Sequence, residues 1–227
     1  MAMSESIEPK KACSRGGRNL RADAERNRER VLETAREVFP ELGLDVSTNE
    51  IARRAGVGVA SLFRRLPTGD DLVAAVFVEK MLAYSEAIDE ALANADAGDG
   101  FCTYMERACR MQADDRGFAD VLIMTFSTAK EFEEERNRAA NALAELLDRA
   151  KASGKLRKDF AHQDVPLILM ANAGVVTATR NAAPDAWRRL LGYLIQSFAS
   201  AAAQPLPDPP TKTQMYRALI RLSSKRQ

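Results

Sequence analysis

Four arginines frame a glycine-containing turn in the run STNEIARRAGVGVASLFRRL, residues 47–66. Arg53 and Arg54 stand before the turn, Arg64 and Arg65 after it, and Thr48 and Ser61 add hydroxyls. Arginines alone are a solvated face in most helices, so spacing and context decide whether these meet phosphate oxygens, which accept charge-assisted hydrogen bonds. The segment Gly56-Val-Gly58-Val-Ala-Ser61 nearly matches a dinucleotide fingerprint. A helical pattern precedes it where a strand is needed, and Ser61 stands in place of the third glycine, so a nucleotide cradle is set aside.

Catalytic chemistry has few candidates. The single histidine, His162, excludes His-rich metal sites and leaves any His-based triad one possible base. It precedes a helical segment and reads as a surface or capping residue. No paired nucleophile and base, phosphate loop or metal cluster is visible, so no catalytic residue, metal or cofactor is expected. Cys13, Cys102 and Cys109 are too few for a disulfide framework and fit a reducing cytosol. Cys102 and Cys109 lie two turns apart on one helical face, about 10.5 Å along the axis. They cannot pair within a straight helix and read as buried, inert thiols.

The elements that position the arginines follow from periodicity. Apolar residues recur at helical spacing along almost the whole chain, and no segment alternates with period two, so the fold is all-α. Residues 1–22 read as a flexible basic arm with Lys10, Lys11, Arg15, Arg18 and Arg21. A first helix is expected over Asp23–Leu42, with Pro40 kinking it or ending it early. Ser47 followed by Glu50 has the capping-box spacing that opens a helix over Thr48–Ala55. Gly56 supplies the turn, Val57 plugs the junction, and a second short helix is expected over Val59–Leu66. Two helices joined this tightly form a helix-turn-helix, whose second helix fits the major groove. The alternative is a plain helix-glycine-helix corner with no nucleic-acid role. Residues 23–68 therefore read as a three-helix DNA-binding head.

Thr68 with Asp71 starts a long helix to about Ala95, and Gly98 and Gly100 read as a break. Further helices are expected near 101–114, 117–127, 130–152, 163–181 and 184–203, so residues 69–203 form a helical body. Residues 204–227 read as a Pro-rich linker and a basic, disordered tail. The first thirty residues hold no apolar signal-peptide core, and the uncharged stretch Leu190–Pro207 is broken by polar residues and prolines. A cytoplasmic protein with no membrane partner is expected.

Charge separates the two parts. The whole chain has 33 Lys+Arg and 32 Asp+Glu, which excludes a uniformly basic coat. Residues 9–66 nevertheless carry net +5, and the remainder net −4. A basic head on a mildly acidic body fits DNA binding at one end.

Residues 26–78 resemble the DNA-binding domain of the TetR family of transcriptional regulators. The matching runs are RERVLETAREVFPELG and STNEIARRAGVGVASLFRRLPTGDDLVAAV. The resemblance implies that Thr48, Gly58, Val59, Ala60, Ser61, Phe63, Arg64 and Arg65 lie at or near DNA. Phe63 departs from the family's usual tyrosine. Val59 and Gly69 stand where lysines are frequent, and Gly58 where a capping serine is frequent. Each departure removes a phosphate contact or a cap, which shifts affinity toward Arg64, Arg65 and the arm. The segment GKLRKDFAHQDVPLILMANAGVV…APDAWRRLLGYLIQSF resembles the SbtR-like subgroup of that family.

In the body, Trp187, Leu190, Leu191, Leu194, Ile195 and Phe198 repeat at three and four. The preceding helix is apolar nearly all round. The pair suits a four-helix seam with a second copy, an ordinary intramolecular core being the alternative. Phe101, Met105, Met111, Phe118, Met124 and Phe126 are candidates for a ligand pocket, though such residues also serve as plain core. The resulting expectation is a homodimeric repressor on an inverted repeat of double-stranded DNA, released by an unknown small-molecule effector. A helical enzyme or carrier without a DNA role and a protein-binding regulator with a weakened head are the alternatives.

Overall fold

The computed structural model describes residues 15–64, 66–124, 129–199 and 204–224, and these form ten α-helices and one 3-10 turn with no strand. The head comprises α1 (Arg15–Leu42), the 3-10 turn Gly43–Asp45, α2 (Thr48–Arg54) and α3 (Val59–Phe63). The body comprises α4 (Gly69–Ala93), α5 (Ala97–Asp114), α6 (Arg116–Leu122), α7 (Lys130–Ala152), α8 (Asp164–Thr179) and α9 (Ala186–Phe198). A terminal helix, α10 (Lys212–Ser224), follows the Pro-rich segment.

The main differences from the expectations lie at helix ends and at Pro40, and α6 and α9 are also shorter than expected. Helix α1 begins at Arg15, so the basic residues Arg15, Arg18 and Arg21 stand on a helix, not in a flexible arm; residues 1–14 lie outside the described residues. Pro40 does not break α1. It sits in the last turn, where a missing N–H forfeits only the bond to the Arg36 carbonyl. Helix α3 ends at Phe63, short of the expected Leu66. Helix α5 starts at Ala97, because the Asp96 carboxylate accepts from the backbone N–H groups of Gly98 and Asp99. The two glycines are therefore the first turn of a helix. A Cβ at Gly100 would meet the Ala91 carbonyl oxygen at 2.4 Å, so glycine there permits α5 to cross close to α4.

The expected disordered tail is helical over Lys212–Ser224, with Met215 buried. Thr211 and Gln214 open it reciprocally: Gln214 N donates to Thr211 Oγ1 at 3.2 Å, and Thr211 N donates to Gln214 Oε1 at 2.8 Å. The Pro-rich stretch is fixed to the body by Arg157, which donates to the Gln204 carbonyl at 2.6 Å, and by Asp159, which accepts from Leu206 N at 3.1 Å.

Head and body share one core. Helix α4 leaves the head through a reciprocal capping box between Thr68 and Asp71 and runs into the body against α5 and α7. A file of rings follows it: Phe39 to Phe77 at 5.8 Å, Phe77 to Phe118 at 6.0 Å, Phe118 to Tyr84 at 6.4 Å and Tyr84 to Tyr104 at 5.8 Å. Each such pair contributes about 0.5–1.5 kcal/mol beyond the area it buries. The Tyr84 and Tyr104 hydroxyls bond each other, which removes the cost of burying both.

Helix α6 is the second bridge. The carboxylate of Asp115, only 2% exposed, caps it by accepting from Phe118 N at 3.0 Å and is paired with Lys80. Gly117 brings α6 so close to α1 and α4 that a Cβ there would meet Phe77 at 2.7 Å and Phe39 at 2.8 Å. From the far end of α6, Asp120 accepts from Leu44 N at 3.1 Å.

Candidate nucleic-acid interface

Ser47 caps α2 by accepting from Glu50 N at 3.2 Å. The helix ends where Gly56 takes a φ of +64°, a conformation that costs a side-chain-bearing residue strain. Val57 N then donates to the Ala52 carbonyl at 2.9 Å, and the Val57 side chain is buried between the helices. Gly58 opens α3 without a side-chain cap. Leu62 is the inward anchor of α3, and this rotation sets its outer face: Gly58, Val59, Ala60, Phe63 and Arg64 are exposed, and Ser61 is half-buried. Val59 and Phe63, 38% and 39% exposed, are large apolar groups held at the surface. The Arg64 guanidinium donates to the Ser61 hydroxyl at 3.0 Å.

Thr48 lies half-buried at the start of α2, and a Cβ on Gly69 would come within 3.7 Å of its hydroxyl. The amino ends of α2 and α4 thus lie side by side, and both present backbone N–H groups with the positive end of a helix dipole. Arg65 lies outside the described residues.

The arginines of α2 behave differently from Arg64. Arg53 donates to Glu50 twice, at 2.7 and 2.8 Å, and Arg54 once, at 2.7 Å. Hydrogen bonds from Arg53 and then Arg54 hold the Glu50 carboxyl down from 4.5 to about 2. One carboxylate thus occupies two cations at the edge of the turn.

Two family models match the chain: "Bacterial regulatory proteins, tetR family" over residues 31–76, and "Transcriptional regulator SbtR-like, C-terminal domain" over residues 96–196. The chain belongs to the TetR family of transcriptional regulators. It is accordingly a DNA-binding regulator, from a family that is not one of enzymes. An HTH-type transcriptional regulator of Staphylococcus aureus (strain USA300) is 39% identical over 54 residues, which are 23% of this chain and 29% of that protein. A TetR transcription regulatory protein from Mycobacterium vanbaalenii is 30% identical, with 79% of this chain and 99% of that one covered and a TM-score of 0.45. The transcriptional regulator FadR from Bacillus subtilis, solved in complex with stearoyl-CoA, shares the fold at 18% identity. Its TM-score is 0.55 over 77% of this chain and 99% of that one.

In the body of this TetR regulator the expected pocket residues do not form one lining. Phe101 packs with Phe160 and Phe198 at 5.4 and 5.6 Å, whereas Phe118 belongs to the ring file along α4. Met105 and Met124 are buried, Met111 is half-buried, and Phe126 lies outside the described residues. A cavity of about 160 Å³ opens between Gly98, Phe101, Cys102, Lys155, Ile195 and Phe198, and Phe101 is the one expected lining residue that borders it. Burial pushes the Cys109 thiol up to about 12, and burial followed by Asp99 and Glu106 raises that of Cys102. The nucleophilic thiolate is disfavoured at both.

The apolar stripe of α9 divides. Trp187, Leu191 and Phe198 are buried in the chain's own core, which corrects their placement in a seam between copies; Leu190, Leu194 and Ile195 are half-buried. Their burial comes from α9 folding back on α8 and onto α5. On α8 the exposed positions are Leu167, Ala171, Gly174, Thr177 and Ala178, of which Leu167, Ala171, Gly174 and Ala178 are spaced four, three and four apart on one face. No short-range pattern marks two further buried polar groups, Gln112 on α5 and Asn172 on α8, which meet across 60 residues of sequence. The nearest available signal is Asn172 itself, the one residue with a polar side chain between Val165 and Val176.

Proposed function

We propose that this TetR regulator is a cytoplasmic homodimeric repressor whose two heads bind half-sites of an inverted-repeat operator, and which a small apolar or amphipathic effector releases. The observation that carries the DNA reading is the outer face of α3. Val59, Ala60, Phe63 and Arg64 project from a helix fixed by Leu62 and the Gly56 turn, as a reading helix in the major groove requires. Thr48 and the half-buried Ser61 flank that face, and Arg65 follows it in sequence.

The dimer reading rests on α8. Leu167 is 41% exposed, and it continues into Ala171, Gly174 and Ala178, small residues that let a second helix approach closely. On α9, which packs on α8, Tyr193 is exposed and Leu190 and Leu194 are half-buried, so this helix also has apolar surface to offer a second copy. Two copies joined there complete a four-helix seam, and a two-fold axis through it demands a two-fold operator. The effector reading is supported by a body rich in buried rings and methionines, and by the stearoyl-CoA that the FadR neighbour carries. Release follows if the effector favours a head spacing that DNA does not accept.

A gel shift with DNA from the neighbourhood of the protein's own gene tests the reading. A retarded band that requires an inverted repeat and disappears in Arg64→Ala is the expected result. Equal retardation of unrelated DNA at physiological salt overturns operator recognition.

A further inference from the structure

Helix α8 is apolar from Val165 to Val176 except at Asn172, which is 1% exposed. Its side chain meets Gln112 of α5, which is 0% exposed. Asn172 Nδ2 donates to the Cys109 carbonyl at 3.2 Å and to Gln112 Oε1 at 2.9 Å. A backbone carbonyl only accepts, so Cys109 fixes which end of the Asn172 amide faces α5. That choice in turn obliges Gln112 to present its oxygen.

Both amides are then half-used. Asn172 Oδ1 is left as an acceptor without a donor, and Gln112 Nε2 as a donor without an acceptor. Buried polar atoms in this state destabilise a fold, and two apolar residues of similar volume would pack the α5–α8 contact better. The pair lies where α5 and α8 meet, and both of these helices also pack on α6, which holds Leu44 and Phe39 of the head.

The geometry points to the Gln112–Asn172 pair as the polar recognition element for the effector, an apolar molecule carrying one neutral hydroxyl or carboxamide that donates to Asn172 Oδ1 and accepts from Gln112 Nε2. This assignment rests on the reading of the protein as an effector-responsive regulator. The neutrality follows from the two atoms. A carboxylate sets its oxygens against Asn172 Oδ1, and an ammonium sets its hydrogens against Gln112 Nε2. A bare hydrocarbon leaves both atoms unpaired. Entry of the molecule separates α5 from α8 at the level of α6, so binding energy is delivered beside the element that touches the head.

The test uses the full chain and four probes of similar size: benzyl alcohol, benzamide, benzoate and toluene. Thermal melting is followed at increasing millimolar concentration for the wild type and for Asn172→Leu and Gln112→Met, singly and together. Benzyl alcohol and benzamide should raise the melting temperature of the wild type, benzoate and toluene should not, and each single variant should weaken the response at least tenfold. The double variant should melt above the wild type and respond to none, which keeps the test decisive if a single variant folds poorly. Equal shifts with all four probes, equal shifts in wild type and double variant, or no shift with any probe each overturn the site. Retardation of operator DNA is scored in the same samples. A protein that binds DNA but ignores the probes loses the site and keeps its function. Probes that bind through the pair without releasing DNA refute the effector role.

Discussion

The Arg180 guanidinium, at the carboxyl end of α8, donates to the carbonyl of Pro40 in the last turn of α1 at 2.8 Å. That carbonyl has no partner within its own helix, since the last four carbonyls of any helix point beyond its end. A cation there also meets the negative end of the α1 dipole. The dimer helix proposed above therefore reaches the head directly as well as through α6.

Arg180→Ala should lower stability by about 1.5–3 kcal/mol, the range for a hydrogen bond to a charged group. It should also change operator affinity, because the head loses one of its fixings to α8. Urea unfolding and fluorescence anisotropy on operator DNA check the two effects separately. Arg180→Lys should recover part of both.

Gly117→Ala tests the wedge between α6 and the head. The added methyl meets Phe77 and Phe39 below 3.0 Å, and one of its neighbours is the Phe39 backbone oxygen at 3.1 Å. Overpacking of this kind costs about 1–3 kcal/mol. Calorimetry should show a lower melting temperature, whereas Gly192→Ala inside α9, with nothing within 4 Å of the new atom, should melt no lower than the wild type.

Much of the head was legible because its signals are local. Ser47–Glu50, Gly56 and Thr68–Asp71 each act within a few residues, and the structure uses all of them as caps or turns. The same short-range logic misread Gly98 and Gly100, whose absent side chains serve a contact with Ala91 rather than a break. The Thr211–Gln214 spacing was an available signal for α10, but the four prolines before it favoured reading a disordered tail. Periodicity shows that Trp187, Leu191 and Phe198 share a face, yet it does not distinguish a chain's own core from a partner's. The Gln112–Asn172 meeting depends on how α5 and α8 pack, which no local pattern encodes.

Phe63→Tyr should tighten operator binding. Phe63 is exposed on the outer face of α3, so a hydroxyl at its tip has a path to a phosphate. A charge-assisted bond contributes about 1.5–3 kcal/mol at best. Anisotropy titrations at fixed salt should show a lower Kd, and an unchanged Kd would place the ring away from the backbone.

Glu50→Gln releases Arg53 and Arg54 from their shared carboxylate. The head then gains positive charge, and the slope of log K against log salt should steepen by about 0.9 for each arginine that reaches a phosphate. The wild-type pair also gives a pH signature. The folded Glu50 carboxyl lies at about 2, below its ordinary 4.5. Its contribution is therefore present above about 4.5 and lost as pH falls toward 2, and Glu50→Gln should remove that part of the acid sensitivity.

The dimer seam separates from the intramolecular core in one pair of variants. Gly174 lies on the exposed face of α8, and a Cβ built there meets nothing within 4 Å. Gly174→Asp therefore adds no strain to the single chain, and it replaces a poor helix former in the middle of a helix. In a dimer closed across α8, the same carboxylate is buried against its own copy, which costs several kcal/mol and repels its twin. Trp187→Ala does the reverse. It empties space in the chain's own core, at about 3–5 kcal/mol of folding stability, without touching the exposed face of α8. Sedimentation at micromolar concentration should find wild type as a dimer, Gly174→Asp as a folded monomer with weakened binding to paired half-sites, and Trp187→Ala as a destabilised protein. A Gly174→Asp variant that sediments with the wild type would put the seam elsewhere on the molecule.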